Sequence, residues 1–215
     1  MPTSLNVVKA KFFLRIKSAD SAFQRHLIAP SVKFSADRFA LQEGLISLLW
    51  QSWCFFCRET VINSAIGTVT ESGLVTHSPY SRNNEKELAY ISKELSQRRS
   101  IGVVREIGGS HLEPTWGDVA KINLIVTGLS CSNGAVLQSA FGSASVIKDL
   151  QMCRNACAHI NKDNITSLIN ARVRYTSTAM KHPSDFIFWI DPNTRDFVWR
   201  SWLEEMELVA DYAVK

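Results

Sequence analysis

The 215 residues are 46% hydrophobic and carry a formal net charge of +4, which excludes a disordered chain and leaves a polyanionic partner open. A chain of this length can bury a large apolar core, so we expect a single domain over residues 1–215. Lysines interrupt the apolar N-terminus, and the most apolar segment (45–57) is too short to span a bilayer, so we expect a cytoplasmic protein with no membrane association. The cysteine count is odd, so we expect reduced thiols.

Two long helices are predicted in the first third of the chain. Apolar residues fall at helical spacing over 5–23, with lysines and arginines between them, which predicts an amphipathic first helix. After a polar break around Pro30, Ser35 can cap a second helix that runs to Ile62, and Gly67 offers a stop. Because this second helix is apolar on most faces, we expect it to lie at the centre of the fold.

The middle of the chain predicts a loop, two capped helices and a short helical turn. Each helix begins with capping-box spacing, in which a polar residue is followed three positions later by an acidic one. Irregular, glycine-containing stretches separate these elements. The assignments are a surface loop at 68–82, a helix from Asn84 with Glu87 to the basic pair Arg98 and Arg99, a helix from Thr115 with Asp118 to Asn133 and Gly134, and a helical turn at 136–141.

The last third of the chain predicts three more helices. Ser or Pro residues mark their first turns, and polar residues separate them. The assignments are a helix from Ser143 or Ser145 to about His159, a polar break at 161–164, a helix at 165–175, a short strand or helical turn at 186–189, and a last helix with Pro192 near its first turn and Val198, Trp202, Met206 and Val209 on one face. Together these elements predict an all-α helical bundle with long central antiparallel helices.

One segment, at the end of the helix that reaches His159, points to chemistry. Residues 154–159 are an arginine, a polar asparagine, three small or apolar residues and a histidine. This order matches the R-polar-x3-H signature of HEPN ribonucleases. An upstream helix with Glu43, Trp50 and Trp53, the segments EPTWGDVAKI and SASVIKDLQMCRNACAHIN, and a tryptophan-bearing terminal helix are also similar to bacterial HEPN proteins. The chain therefore resembles this family loosely over most of its length and closely around the motif.

The resemblance implies a metal-independent endoribonuclease that needs no cofactor and cuts single-stranded RNA or tRNA loops. His159 would take the proton of the ribose 2′-hydroxyl or protonate the leaving oxygen, because imidazole titrates near neutrality. Arg154 would stabilise the charge that develops on the phosphoryl oxygens. Asn155 would position RNA or His159, and Glu43 is a possible supporting residue. The family further implies a toxin or anti-phage effector that a cognate antitoxin or sensor protein controls.

The spacing of the motif bears on oligomeric state. Arg154 and His159 are five positions apart, so an ideal helix would place them roughly 140° apart around its axis and about 7.5 Å along it. They would not share one stripe of a single helix. The same helix from two copies could bring an arginine and a histidine of each chain to one phosphate, and HEPN dimers imply this arrangement. We therefore expect a homodimer with the active cleft at its interface.

Alternative interpretations stay open at this point. The pair Arg154 and His159 could be a basic surface face, with the histidine complementing the dipole at the end of a helix. The chain could also be a catalytically inactive HEPN-like module for dimerisation, RNA binding or antitoxin pairing. A third possibility is a HEPN domain that accepts a nucleotide from a partner enzyme on Tyr80 or Tyr175.

Other metal or acid–base candidates are weaker. Cys54 with Cys57 and Cys153 with Cys157 invite a zinc site, but the first pair lies in an apolar helix, where buried reduced cysteine is common. We therefore expect no metal. Four histidines have no Asp, Glu or Cys at ligand spacing and are expected on the surface or in loops: His26, His77, His111 and His182.

Overall fold

The computed structural model describes residues 3–28, 35–176 and 180–215, so the polar break expected around Pro30 lies outside the described residues. Within these ranges the regular structure is helical, with isolated β-bridges and no strand. The α-helices are α1 (Leu5–Ile28), α2 (Ser35–Ile66), α3 (Glu85–Ser96), α4 (Val119–Leu129), α5 (Gly134–Ser143), α6 (Ile147–Ala158), α7 (Lys162–Ala171) and α8 (Val198–Ala213). The prediction of an all-α bundle with a long antiparallel helix pair, α1 and α2, is confirmed. No helix among the described residues is long and apolar enough to cross a membrane.

The chain forms two compact units. The first comprises Met1–Phe13, Trp53–Ala144 and Leu208–Lys215, and the second comprises Leu14–Ser52 and Ser145–Glu207. Each unit contains one part of α1 and the part of α2 that runs antiparallel to it. The expectation of a single domain stays a prediction.

In the first unit, the start of α1 packs on the end of α2 through aromatic rings. The ring of Phe12 stacks on that of Phe56 with centroids 4.6 Å apart, and both side chains are fully buried. The indole of Trp53 donates to the carbonyl of Gly117 at 3.1 Å, which ties α2 to the loop before α4. Helix α3 packs on α4 and α4 packs on α5, and Phe141 of α5 contacts the rings of Trp53 and Phe56. Burial of these large aromatic side chains therefore contributes to the stability of the first unit.

In the second unit, the rest of α1 packs on the first part of α8. Phe23 stacks on Trp199 with ring centroids 4.8 Å apart, and both rings are buried. Asp20 accepts hydrogen bonds from the Trp199 indole at 3.1 Å and from Arg200 at 2.7 Å. Helix α6 packs on α7 and on a 3-10 helix at Pro183–Phe188, which is where the aromatic run expected as a strand or turn lies.

The capping-box prediction is confirmed for α3 and wrong for α4. Asn84 accepts from the backbone N–H groups of the first turn, and Glu87 accepts from the N–H of Asn84 in return. At α4 the cap is Asp118 rather than Thr115, because the Asp118 carboxylate accepts from Ala120 N–H at 3.0 Å and from Lys121 N–H at 3.2 Å. An acceptor three residues earlier would leave these donors unpaired.

Several other helix ends differ from the sequence expectation. Ser130 ends α4 in the left-handed region (φ 49°), so Asn133 and Gly134 begin α5 instead of ending α4. Neither Ser143 nor Ser145 caps α6 with its side chain; the Ser145 N–H donates instead to Glu205 at 3.0 Å. Asn161 caps α7, so the expected polar break at 161–164 is the start of a helix. Pro192 precedes α8 and does not lie in its first turn.

Replacing the α4 cap tests this assignment. We expect Asp118→Ala to lower the free energy of unfolding by about 1 kcal/mol, because two N–H donors lose their acceptor. Asp118→Asn should keep most of that stability, since asparagine caps equally well, and Thr115→Ala should have almost no effect. Urea denaturation followed by circular dichroism measures all three variants. A larger loss for Thr115→Ala than for Asp118→Ala would contradict the assignment.

Candidate active cleft

Helix α6 presents one face to the core and another to a cleft. Ile147, Leu150, Cys153 and Ala156 recur every three residues and are fully buried, which is the spacing of one helical face. The Cys153 thiol also donates to the carbonyl of Pro183 at 3.6 Å. Near its C-terminal end the helix carries Arg154 and Cys157, which are half-buried and border this face.

The cleft lies within the second unit and has a volume of about 160 Å³. Its walls are the side of α6 just described and the first part of α2. The residues that line it are Glu43, Ile46, Ser47, Arg154, Cys157 and Ala158. Sites for whole drug-sized ligands measure roughly 300–1,000 Å³. The cleft is therefore of a size for one small group, and Arg154 and Glu43 are the two charged residues among those that line it.

Arg154 and Asn155 are brought together. The Nη1 of Arg154 donates to the Asn155 Oδ1 at 3.2 Å, and both side chains are half-buried. This bond limits the directions in which the guanidinium can point. Asn155 therefore orients the arginine in this structure, whereas the sequence analysis expected it to position RNA or His159.

His159 lies apart from the cleft. It is the C-cap of α6 with φ −140° and ψ 79°, so it has left the helical conformation, and its side chain is exposed. Its backbone is held by N–H donation to Asn155 at 2.9 Å and by the Asn164 amide at 2.8 Å. His159 is not one of the described residues that line the cleft. The angle expected from ideal helix geometry therefore does not apply to this pair.

Glu43 has a partner that sequence spacing did not indicate. The Nε2 of His182 lies 3.3 Å from the Glu43 Oε1. The imidazole also stacks on Phe39, one turn earlier on α2, with ring centroids 4.4 Å apart. His182 is the residue before the 3-10 helix, where Asp185 accepts its backbone N–H at 3.0 Å. His182 lies in a loop, one of the two locations expected for it, and its side chain is only 16% exposed.

A chain of hydrogen bonds continues behind His182. Its Nδ1 lies 2.8 Å from the Ser184 Oγ, and that hydroxyl donates to the Gln42 Oε1 at 2.7 Å. The Gln42 Nε2 lies 3.2 Å from the Nε2 of His26. Ser184 and Gln42 are fully buried. Burial lowers the pKa of His26, and the charge of Arg38 adds to this effect.

A second cleft of about 350 Å³ lies beside the start of α6. There the buried Asp149 carboxylate accepts hydrogen bonds from Arg174 and from the hydroxyl of Tyr175. Burial raises the pKa of Tyr175, and its bond to Asp149 raises it further. A nucleotide-accepting tyrosine needs a hydroxyl that can be deprotonated and reached. The environment of Tyr175 therefore disfavours that role.

The five cysteines, all within the described residues, form no disulfide. Over the same residues no group of three or more His, Cys, Asp or Glu side chains is placed to hold a metal ion. A comparison of the chain with protein-family models, curated proteins and solved structures finds no match. The resemblance to HEPN ribonucleases therefore rests on the sequence features described above and stays a prediction.

Thiol chemistry can probe the cleft wall. Burial raises the pKa of Cys153 well above its usual range, and the neighbouring Cys157 adds to this shift. Cys157 itself is half-buried and lines the cleft. Because a buried thiol with a raised pKa offers less thiolate and is harder to reach, we expect N-ethylmaleimide to modify Cys157 at least about tenfold faster than Cys153.

Peptide mass spectrometry of the native protein over time measures both rates. The two cysteines lie on the same helix, so each serves as the control for the other, and unfolding in urea should make their rates similar. Equal rates in the native protein would show that Cys157 does not face an open cleft.

Proposed function

We propose that this protein is a metal-independent endoribonuclease of the HEPN type, active as a homodimer on single-stranded RNA or tRNA loops. The observation that carries the proposal is the placement of Arg154. Its guanidinium lines a cleft of small-group size and is held by Asn155. A fixed, permanently charged guanidinium in a half-buried cleft is suited to bind one phosphate with two parallel hydrogen bonds.

The chemistry needs a base, an acid and stabilisation of charge. In the proposed reaction the ribose 2′-oxygen forms a bond to the adjacent phosphorus while the bond from phosphorus to the 5′-oxygen breaks. The 2′-hydroxyl proton goes to a general base, and the leaving oxygen receives a proton from a general acid. Arg154 stabilises the negative charge on the phosphoryl oxygens, and His159 serves as one of the two proton-transfer groups. The product is a 2′,3′-cyclic phosphate.

A homodimer accounts for the position of His159. Within one chain this histidine lies at the exposed end of α6, outside the cleft that holds Arg154. A second copy placed against the end of α6 would add its own imidazole to the first copy's guanidinium. Exposed apolar side chains in the same region support such an interface: Ile160 is 65%, Ile169 is 48% and Val173 is 89% exposed.

The biological setting follows from the resemblance alone. A ribonuclease without restraint would damage its own cell, so we propose a role as a cytoplasmic toxin or anti-phage effector held in check by an antitoxin or released by a sensor protein. The exposed end of α6, where dimerisation would complete the site, is the surface on which such a protein would act.

Removing the motif residues tests the proposal. We expect purified wild-type protein to cleave total RNA or tRNA in EDTA and to leave 2′,3′-cyclic phosphate ends. Arg154→Ala and His159→Ala should each lower the cleavage rate by about 100-fold or more, because one removes transition-state charge stabilisation and the other a proton-transfer group. Gel analysis and end-group mapping of the fragments measure both effects.

Matched controls are the exposed residues Arg105→Ala and His111→Ala, which lie in the first compact unit and should keep full activity. Equal cleavage by wild type and both motif variants would remove Arg154 and His159 from the site. Absence of cleavage by wild type, even with the genomic neighbour added, would favour a binding module.

A mixing experiment tests whether the site is shared between chains. Arg154→Ala protein and His159→Ala protein are each expected to be inactive, but a mixed dimer retains one arginine and one histidine on different chains. We expect co-refolded mixtures to regain activity, because random pairing makes up to about half of the dimers mixed. The measurement is cleavage rate against mixing ratio, with sedimentation velocity confirming dimers. Activity that stays at the level of the separate variants would show that arginine and histidine of one chain must act together.

A further inference from the structure

The cleft contains an electrostatic conflict. Glu43 lines it together with Arg154, and a carboxylate close to a phosphate site repels the phosphate that the arginine attracts. The Glu43 side chain is 39% exposed, so water screens part of this repulsion but not all of it. A cleft that binds phosphate needs some means of neutralising Glu43.

We propose that His182 is a positioning residue of the cleft, which holds the Glu43 carboxylate in place and, when protonated, neutralises it so that an RNA phosphate can bind at Arg154. This inference rests on the proposed function for its ligand. It adds a residue that the motif does not contain and that reaches the cleft only through the fold.

Contacts on three sides fix the imidazole. Its Nε2 lies 3.3 Å from Glu43, one face stacks on Phe39, and the backbone at both its own position and the preceding one donates to Asp185, at 3.0 Å and 2.9 Å. The turn that carries it is tied to α6 by the bond between Cys153 and the Pro183 carbonyl. Both Glu43 and His182 are therefore held relative to the helix that carries Arg154.

The surroundings of His182 can serve either protonation state. In the neutral ring, a proton on Nε2 is donated to Glu43, and Nδ1 accepts from the backbone N–H of Ser184 at 3.3 Å. In the charged ring, Nδ1 carries a proton as well and donates it to the Ser184 Oγ at 2.8 Å, while that hydroxyl donates onward to Gln42. Both ring nitrogens therefore have an acceptor when the ring carries two protons.

The charged groups near the pair come from each neighbouring element. Helix α2 contributes Glu43 and Arg38, the latter with its guanidinium 4.9 Å from the Phe39 ring. Helix α1 contributes His26, α6 contributes Arg154, and the 3-10 helix contributes Asp185. Glu43 is the carboxylate that the imidazole edge faces directly, since Asp185 is engaged by backbone N–H groups.

The test is a double-mutant cycle on RNA binding at two pH values. A 2′-O-methylated oligoribonucleotide serves as the probe because it cannot be cleaved, and fluorescence anisotropy reports its dissociation constant. All variants carry His159→Ala, so that the titration of the motif histidine does not contribute. We expect the parent to bind about fivefold more tightly at pH 6 than at pH 8, the size of one partly screened charge interaction.

The variants then separate positioning from a structural role. Glu43→Gln should bind tightly at both pH values, His182→Ala should bind weakly at both, and the double variant should match Glu43→Gln, because His182 acts only through Glu43. His182→Gln, which keeps a donor for Glu43 without the titration, should bind independently of pH, and it serves as the folded variant if His182→Ala is unstable. His111→Ala should behave as the parent.

The outcomes distinguish this inference from the proposed function. Cleavage by wild type together with additive effects of Glu43→Gln and His182→Ala, or with pH dependence that survives in Glu43→Gln, would overturn the role of His182 and leave the ribonuclease proposal intact. The expected cycle without cleavage by wild type would support the role of His182 and reject the ribonuclease. Absence of oligonucleotide binding by every variant would overturn the inference.

Discussion

One face of α1 is buried along the length of the helix, and both compact units depend on it. Leu5 and Phe12 in the first unit and Ile16 and Phe23 in the second are each at most 1% exposed. A buried phenylalanine of this kind typically contributes about 3–5 kcal/mol, a large share of the net stability of a domain. The antiparallel segments of α2 are held against this face in each unit, and Glu43 takes its position from them.

The elements were predictable from the sequence because local rules determine them. Apolar spacing predicted α1, α2 and α8, and the capping box at Asn84 predicted the start of α3. Helix ends were less predictable where two polar residues competed for one role, as Thr115 and Asp118 did. The outcome there depends on which side chain reaches the N–H groups of the first turn. The sequence pattern alone does not give the distance between a side chain and these N–H groups.

The candidate site, too, could be predicted from the sequence only where local features determine it. The motif at 154–159 is local and could be found in the sequence, and Arg154 does line a cleft. His182 could not be found in this way, because its partner Glu43 lies on a distant part of the chain and no spacing rule links them. The helix end was predicted at about His159, and α6 ends at Ala158, so the last residue of the motif is a C-cap that no longer follows helical geometry.

The contact between Cys153 and Pro183 has a consequence for how the cleft tolerates change. Adjacent residues on a helix point about 100° apart, so the burial of Cys153 sets the azimuth of Arg154. A bulkier side chain at Cys153 would have to displace α6 from the Pro183 turn, and Arg154 would move with the helix, although no residue of the cleft lining had been altered. Substitutions at Cys153 are therefore constrained by the orientation of Arg154 as well as by the packing of the core.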